Sequence, residues 1–372
     1  MLGIILWSAI ASAATTVGPT FQLVSQSQMQ ESFPAISLDD SGGVAIWNDN
    51  AARAGHFTAP QPIGNPIRLA DSPYRDSAAA SIGNESMVAW ARNDDIFAQR
   101  VAADGNAIGD PIDVAFVDSR HTQRIAMAAN HDRYIIIIVI QSRVIAAVLD
   151  AQGHVLEYGI PLNSGTYGRN IERVSVTSNG SEFLVVWDAS TVEPWTTPCT
   201  LACAGEDRDV HAIILNDDGT PRSGTETVLS TGAGDPDVAS NGRDYLVTWS
   251  RFGGGISAET ISAGFTSASD PMMLTTGHDF GSHLAWDGSA YDVAWINADN
   301  APTLMGNRIS SSGRIIEPIA TGRTFSGFLS RDFDLAARDG KIVFALPVDG
   351  HLRVQVLSVT PLPGSRVRAV KH

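Results

Sequence analysis

Short runs in which apolar residues alternate with polar ones recur along the chain, each broken by a turn containing Gly, Asn or Asp. This pattern is that of β-hairpins rather than helices. The two clearest copies, Ser178-Asn-Gly-Ser-Glu-Phe-Leu-Val-Val-Trp187 and Ser240-Asn-Gly-Arg-Asp-Tyr-Leu-Val-Thr-Trp249, match almost residue for residue. Weaker copies end at Trp47, Trp90 and Trp295, and two degenerate ones end at Ile138 and Leu346. The seven anchors are 43, 48, 49, 62, 46 and 51 residues apart, with the excess of the long member between Trp187 and Asp209. A period near that length points to a propeller or solenoid. The pairs Asn179-Gly180, Asn241-Gly242 and Asp287-Gly288 supply the positive φ angles of two-residue hairpin turns.

A third strand is expected after each anchor, as in Ile96–Val101, Val144–Leu149, Val210–Leu215 and Leu304–Ile309. Beyond a further turn comes a fourth, Pro-flanked strand, as in Pro111–Val114 and Glu226–Leu229. Proline at its start suits an edge, where a missing N–H donor is tolerated. Four antiparallel strands per unit make a propeller blade. The last unit, Phe333 to Leu357, holds three strands, whereas Phe21–Val24, preceded by Gly18-Pro19, reads as an orphan fourth strand. Pairing the two would cover both exposed sheet edges. The expected fold is therefore all-β: a single seven-bladed β-propeller of four-stranded antiparallel blades over residues 18–358, closed by Phe21–Val24 pairing with His351–Leu357, with a tail at 359–372.

The units of form S-N-G-x-x-[FY]-L-V-x-W, followed by a strand and a D-G turn, resemble the repeats of bacterial secreted propeller proteins over roughly Phe21 to Leu357. That resemblance implies a propeller and export, and it brings no agreed activity to any residue. Ser37-Leu-Asp39 is a superficial match to the Asp box of sialidases, but it falls between the first and second strands and no arginine triad accompanies it.

Composition narrows the function classes. A formal charge of −15, with no basic stripe, argues against nucleic acid and anionic lipid as partners. Met1 to Ala13 is a short apolar run ending in Ala11-Ser12-Ala13, the pattern of an export signal; it lacks a preceding Lys or Arg, so the true start is expected upstream. No other stretch is apolar enough for a membrane helix, and the mature chain is expected outside the cytoplasm, secreted, periplasmic or on the cell surface, as a monomer. The two cysteines, Cys199 and Cys203, are expected to form a small disulfide in the enlarged loop, which also carries Trp195 and is a candidate partner-binding element. The repeated tryptophans read as core between blades.

Candidate chemistry comes from counting back from the anchors. Fourteen residues before them stand Phe33, Asp76, Arg124, Arg173, Asp235, Gly281 and Asp332. Twelve before stand Ala35, Ala78, Ala126, Ser175, Asp237, His283 and Asp334. Positions two apart share a strand face. An acidic arc of Asp235, Asp237, Asp332 and Asp334 with His283 thus opposes Arg124 and Arg173 across the mouth. Clustered oxygens with a histidine suit a divalent cation such as calcium, although no cofactor is expected, and an arginine pair suits a carboxylate or sulfate. The competing structural reading is that these aspartates bind loop backbones. Three functions follow: a scaffold that binds a protein or glycan through this face, a polysaccharide-acting hydrolase or lyase using the acids, or a structural module of a larger surface protein. No motif names a catalytic residue.

Overall fold

The computed structural model describes residues 15–23, 34–49, 51–71, 74, 76–92, 95–116, 122–140, 142–164, 171–190, 208–299, 302–319, 323–324, 333–348 and 351–359. They form seven antiparallel sheets in a seven-bladed β-propeller, six of four strands and one, the sixth, with a short fifth strand at Arg323–Thr324. Blade one covers 35–70, blade two 76–116, blade three 122–161, blade four 174–231, blade five 233–273 and blade six 279–318. Blade seven combines Asp334–Arg338, Lys341–Val348 and His351–Val359 with Thr15–Gln22 from the start of the chain. No described helix is long and apolar enough to cross a membrane.

The ring closes by the expected pairing but with a longer strand. Phe21 pairs with Val354 and Gln22 with Arg353, and the ladder continues back to Thr15 opposite Val359. Gly18 and Pro19, expected to precede the strand, lie inside it at a register shift between Val17 and Thr20. A bulge is where a strand tolerates a residue that cannot donate. Pro111 likewise sits within its strand, Ala107–Phe116, beside a register shift opposite Gln99. There the Gln99 side-chain amide donates to the carbonyls of Ile108 and Gly109 and stands in for the lost ladder bonds. The residues of the expected export signal and of the tail beyond Val359 lie outside the described ones.

Each anchor packs against the preceding blade. Trp249 clusters with Leu184 and Val186 of blade four, Trp90 with Val44 and Ile46 of blade one, and Trp47 with Val343 and Val354 of blade seven. The degenerate anchors do the same: Ile138 meets Met87 and Ala89, and Leu346 meets Ala294 and Ile296. Trp47, Trp90, Trp187 and Trp249 are essentially inaccessible to water. Burying an aromatic of this size at an interface between blades supplies the largest apolar area any single position offers.

The hairpin turns are four residues long rather than two. Ser178 pairs with Phe183 and Ser240 with Tyr245, which leaves four residues between the paired positions, with the Asn179 N–H donating to the Glu182 carbonyl and the Asn241 N–H to that of Asp244. In each, only the glycine takes a positive φ, 94° at Gly180 and 83° at Gly242. The Asn Oδ1 then accepts from the two amides that follow, at 2.9 and 3.0 Å for Asn179 and at 3.0 and 2.8 Å for Asn241. The asparagine is thus selected as a cap for orphan N–H groups rather than for its own backbone freedom.

Candidate functional site

The residues twelve before the anchors are structurally equivalent. Ala35, Ala78, Ala126, Ser175, Asp237, His283 and Asp334 each pair with the residue immediately before their own anchor. Seven innermost strands therefore deliver those positions to one level near the ring axis, where a cavity of about 290 Å3 opens. Its wall brings together Asp76, Arg124, Arg173, Asp235, Asp237, His283 and Asp334, seven of the eight residues expected at the rim. Asp332, the eighth, and Phe33 lie outside the described residues, and Gly281 does not line the cavity.

Strict alternation does not hold throughout. Register shifts fall between Gly234 and Asp237 and between Phe280 and His283. Asp235 takes a φ of 51° in the first of these, a left-handed geometry that aspartate tolerates better than most residues. Its amide donates to Asp188 Oδ2 at 3.1 Å.

The aspartates reach forward by one blade. Asp76 Oδ2 accepts from the amide of Ile125 at 2.8 Å, Asp237 Oδ2 from that of Leu284 at 2.9 Å, and Asp334 Oδ2 from that of Ile36 at 2.8 Å. Asp237 Oδ1 also takes the Ser175 hydroxyl at 2.5 Å and the Val238 amide at 2.9 Å. Asp334 Oδ1 takes the Leu335 amide at 2.8 Å. The structural reading of these side chains, as backbone acceptors, thus describes much of what they do. It also explains how blades cohere near the axis, where the inner strands of neighbouring blades share no sheet.

The basic side of the wall is built differently. Arg124 donates its Nε–H to the carbonyl of Glu172 at 2.7 Å, which lays its guanidinium beside the residue preceding Arg173. Arg173 Nη2 lies 3.1 Å from His283 Nδ1 and 2.9 Å from Nε2, so the arginine of blade four reaches the imidazole of blade six. A guanidinium only donates, so the accepting ring nitrogen is the unprotonated one. His283 also stands 3.8 Å from Asp237 and 3.6 Å from Asp334, and its ring tilts against Phe333 at 4.5 Å between centroids.

Loss of water pushes the Asp76 carboxyl up to about 6, against the pull of Arg124 and of the Ile125 amide. Burial also raises Asp237, opposed by Arg173 and Ser175. Asp334 is pushed up to about 7, again by burial, with the charge of Asp237 adding to it. Among the described residues, no group of three or more His, Cys, Asp or Glu side chains is arranged to hold a metal ion.

Three contributors were not visible as site residues in the sequence. Asp188, next to Trp187, accepts the amides of Glu172 and Arg173, each at 2.9 Å, and an Arg208 guanidinium N–H at 3.3 Å. It is buried and ties down the two residues that lead into the strand Val174–Ser178, Arg173 being the second of them. The signal was available: Asn48, also one residue past its anchor, ties the backbone of Tyr74 in the same way through its side-chain amide, at 3.1 and 3.2 Å. Glu172 and Phe333 occupy the wall from positions not counted. Trp195, Cys199 and Cys203 of the enlarged loop lie outside the described residues. The loop springs from Ser190 and Arg208, which pair at the ends of their strands on the face where Arg173 stands.

No family model and no curated protein sequence matches the chain. Among solved structures it is similar to the β-propeller domain of Cps50 (Swd1) from Myceliophteria thermophila, with a TM-score of 0.56, 10% identity, and coverage of 92% of this chain and 100% of that one. A protein of unknown function from Dyadobacter fermentans follows at a TM-score of 0.48 and 9% identity, covering 94% of this chain and 100% of that one. The GH43 protein BlXynB from Bacillus licheniformis aligns over 66% of this chain and 53% of its own, at a TM-score of 0.39 and 13% identity. Likeness at such identities speaks to the fold alone.

Proposed function

We propose that this propeller is an exported binding scaffold, and that it engages a glycan or protein through the face on which the innermost strands begin. The observation that carries the reading is the axial cavity, a concave site whose charged wall draws on blades two to seven and into which both axial arginines are delivered. The Met1 to Ala13 run and the resemblance to secreted propellers support export. The enlarged loop of blade four, rooted at Ser190 and Arg208, would extend the same face.

A glycan array and a pull-down from the organism's own surface extract test this reading. Wild type should retain a ligand that Arg173→Gln loses. Arg243→Ala, an exposed change in the turn on the opposite face, should keep it. Loss of the ligand by Arg243→Ala but not by Arg173→Gln would move recognition to the other face.

A hydrolase using Asp237 and Asp334 is the second reading, and their raised pKa values favour it because a general acid must hold its proton near neutral pH. Against it, both carboxylates already accept amide protons from two strands each. Release of reducing ends from a polysaccharide panel, abolished in Asp334→Asn, would establish hydrolysis in place of binding alone.

A further inference from the structure

Among the described residues, the buried acids are answered by partners, with one exception. Asp39 meets His56, Asp287 and Asp292 meet Arg308, and Glu182 meets Arg222. Asp76, Asp188 and Asp237 take backbone amides, Asp279 takes the side-chain amide of Asn297, and Asp235 has a partner too. Glu259, only 7% exposed, takes no hydrogen bond and no ion pair. It stands on the third strand of blade five, Ile256–Ile261, opposite Val247. Val247 and Ile261 pack with Leu184 and Val186 of blade four, so the alternation of the strand turns Glu259 toward blade four as well. Ser257, 5% exposed, shares that face two residues earlier, and its hydroxyl likewise makes no hydrogen bond.

A second carboxylate comes up beside it. Ala258 lies opposite Met272 and Ile261 opposite Ala268, so Glu259 and Thr260 face three residues, Ser269, Asp270 and Pro271. The extra residue is a bulge. Thr260 is tied to Ser269, its N–H donating to the Ser269 hydroxyl at 3.1 Å and its carbonyl accepting the Ser269 N–H at 2.9 Å. That sets the exposed Asp270 abreast of Glu259. Loss of water, with the charge of Asp270 adding to it, pushes the Glu259 carboxyl up to about 7, and among the described residues no cationic side chain opposes them. Like charges facing across two strands destabilise a sheet, and a buried carboxylate without a partner costs more still. A bound cation removes both penalties at once.

We propose that Glu259 and Asp270 bind a calcium ion in the seam between blades four and five, with the Ser257 hydroxyl and water supplying further oxygens. Calcium accepts irregular shells of carboxylate, hydroxyl, carbonyl and water oxygens, so two acids suffice without a third acid, His or Cys. Magnesium demands a near-ideal octahedron, and zinc favours nitrogen and sulfur over the all-oxygen set found here. The site is separate from the axial cavity, whose wall contains neither acid. Calcium competes with the proton that Glu259 holds below about 7, and Asp270 is the one charged group that acts on that carboxyl. Affinity should therefore rise with pH.

Titration calorimetry of the whole chain with calcium chloride at pH 8 and pH 6, beside magnesium chloride, tests this. Calcium should bind at pH 8 with a dissociation constant of about 0.1–1 mM, the class of extracellular modules, and magnesium more weakly. Calcium binding should be several-fold weaker at pH 6. Glu259→Gln and Asp270→Asn should each weaken calcium at least about tenfold, whereas Asp113→Asn, at an exposed acid on the outer strand of blade two, should leave it unchanged. Thermal melting gives a second readout. Calcium should raise the melting temperature of wild type but not of Glu259→Gln. Without calcium at pH 8, Glu259→Gln should melt no lower than wild type, because it removes a buried charge that has no partner. If Glu259→Gln fails to fold, Asp270→Asn, at an exposed position, decides. No calcium binding at pH 8, or equal affinity in wild type and both folded variants, would overturn the proposal. So would a Glu259→Gln chain whose melting responds to calcium as wild type does, which would leave a proton as the occupant of the seam.

Discussion

The two ends of blade six bury charge in opposite ways. On the face away from the cavity, Arg308 meets Asp287 at 2.5 Å, Asp292 at 3.0 Å and Glu317 at 3.3 Å, and three of these four side chains are at most 2% exposed. Burial and the neighbouring Asp287 hold the Asp292 carboxyl well above the ordinary carboxylate range. On the cavity face, His283 instead meets Arg173 from two blades away, and the nearby acids satisfy themselves on backbone amides. One cluster is closed, with cation and carboxylates matched inside the chain. The other is spread over several blades, with arginines, carboxylates and an imidazole sharing the wall of one cavity. Charge matched internally serves folding, and charge left facing a cavity is where a ligand can be recognised.

The sharpest break of that contrast is Arg308→Met. It leaves two buried acids and the half-buried Glu317 without their cation and should cost about 3–5 kcal/mol in unfolding free energy, read by denaturant titration. Any ligand bound at the axis should be retained by the molecules that remain folded. Asp237→Ala comes next, because it strands the Leu284 and Val238 amides and the Ser175 hydroxyl; about 2–3 kcal/mol is expected, and Asp237→Asn, which keeps one acceptor oxygen, should lose less.

Asp334 offers a pH test. Its carboxyl moves from an ordinary 3.8 to about 7 on folding, so between those values the folded chain holds the proton that the unfolded chain has released. Its contribution is present in full below the ordinary carboxylate range and is lost as pH rises through 7. Melting temperature should therefore fall between pH 5 and about 8, and Asp334→Asn should flatten that slope; an unchanged slope would place the titrating group elsewhere. Asn179→Ala, at a turn on the face away from the cavity, removes a cap from two amides and should cost only about 1 kcal/mol by thermal melting, with no effect on that slope.

Much of this was legible in the sequence because propeller blades are local objects. A strand, a turn and a second strand lie within some ten residues, and Trp187 and Trp249 mark the same interface in successive blades. Even the degenerate Ile138 and Leu346 kept the role, since packing against the previous blade needs bulk and apolarity rather than one residue type. Counting from these anchors also brought seven of the rim residues to one cavity. What it missed has a common cause. The four-residue turns, the strand that begins at Thr15, and the bulges around Asp235 and His283 all depend on which partner satisfies each N–H. Periodicity does not report that.

The sequence by itself determined the number of blades, the anchor position in each and the closure of the ring by the chain's first described strand. Those rest on a repeat in which every copy states its own place. Only the tertiary structure decided what the charged residues do. An aspartate reads the same in sequence whether it faces an amide of the next blade, as Asp334 does with Ile36, or a buried arginine of its own, as Asp292 does with Arg308. Those partners are 298 and 16 residues away, and the free energy of a buried charge is set by whatever space, not sequence, places within about 4 Å of it.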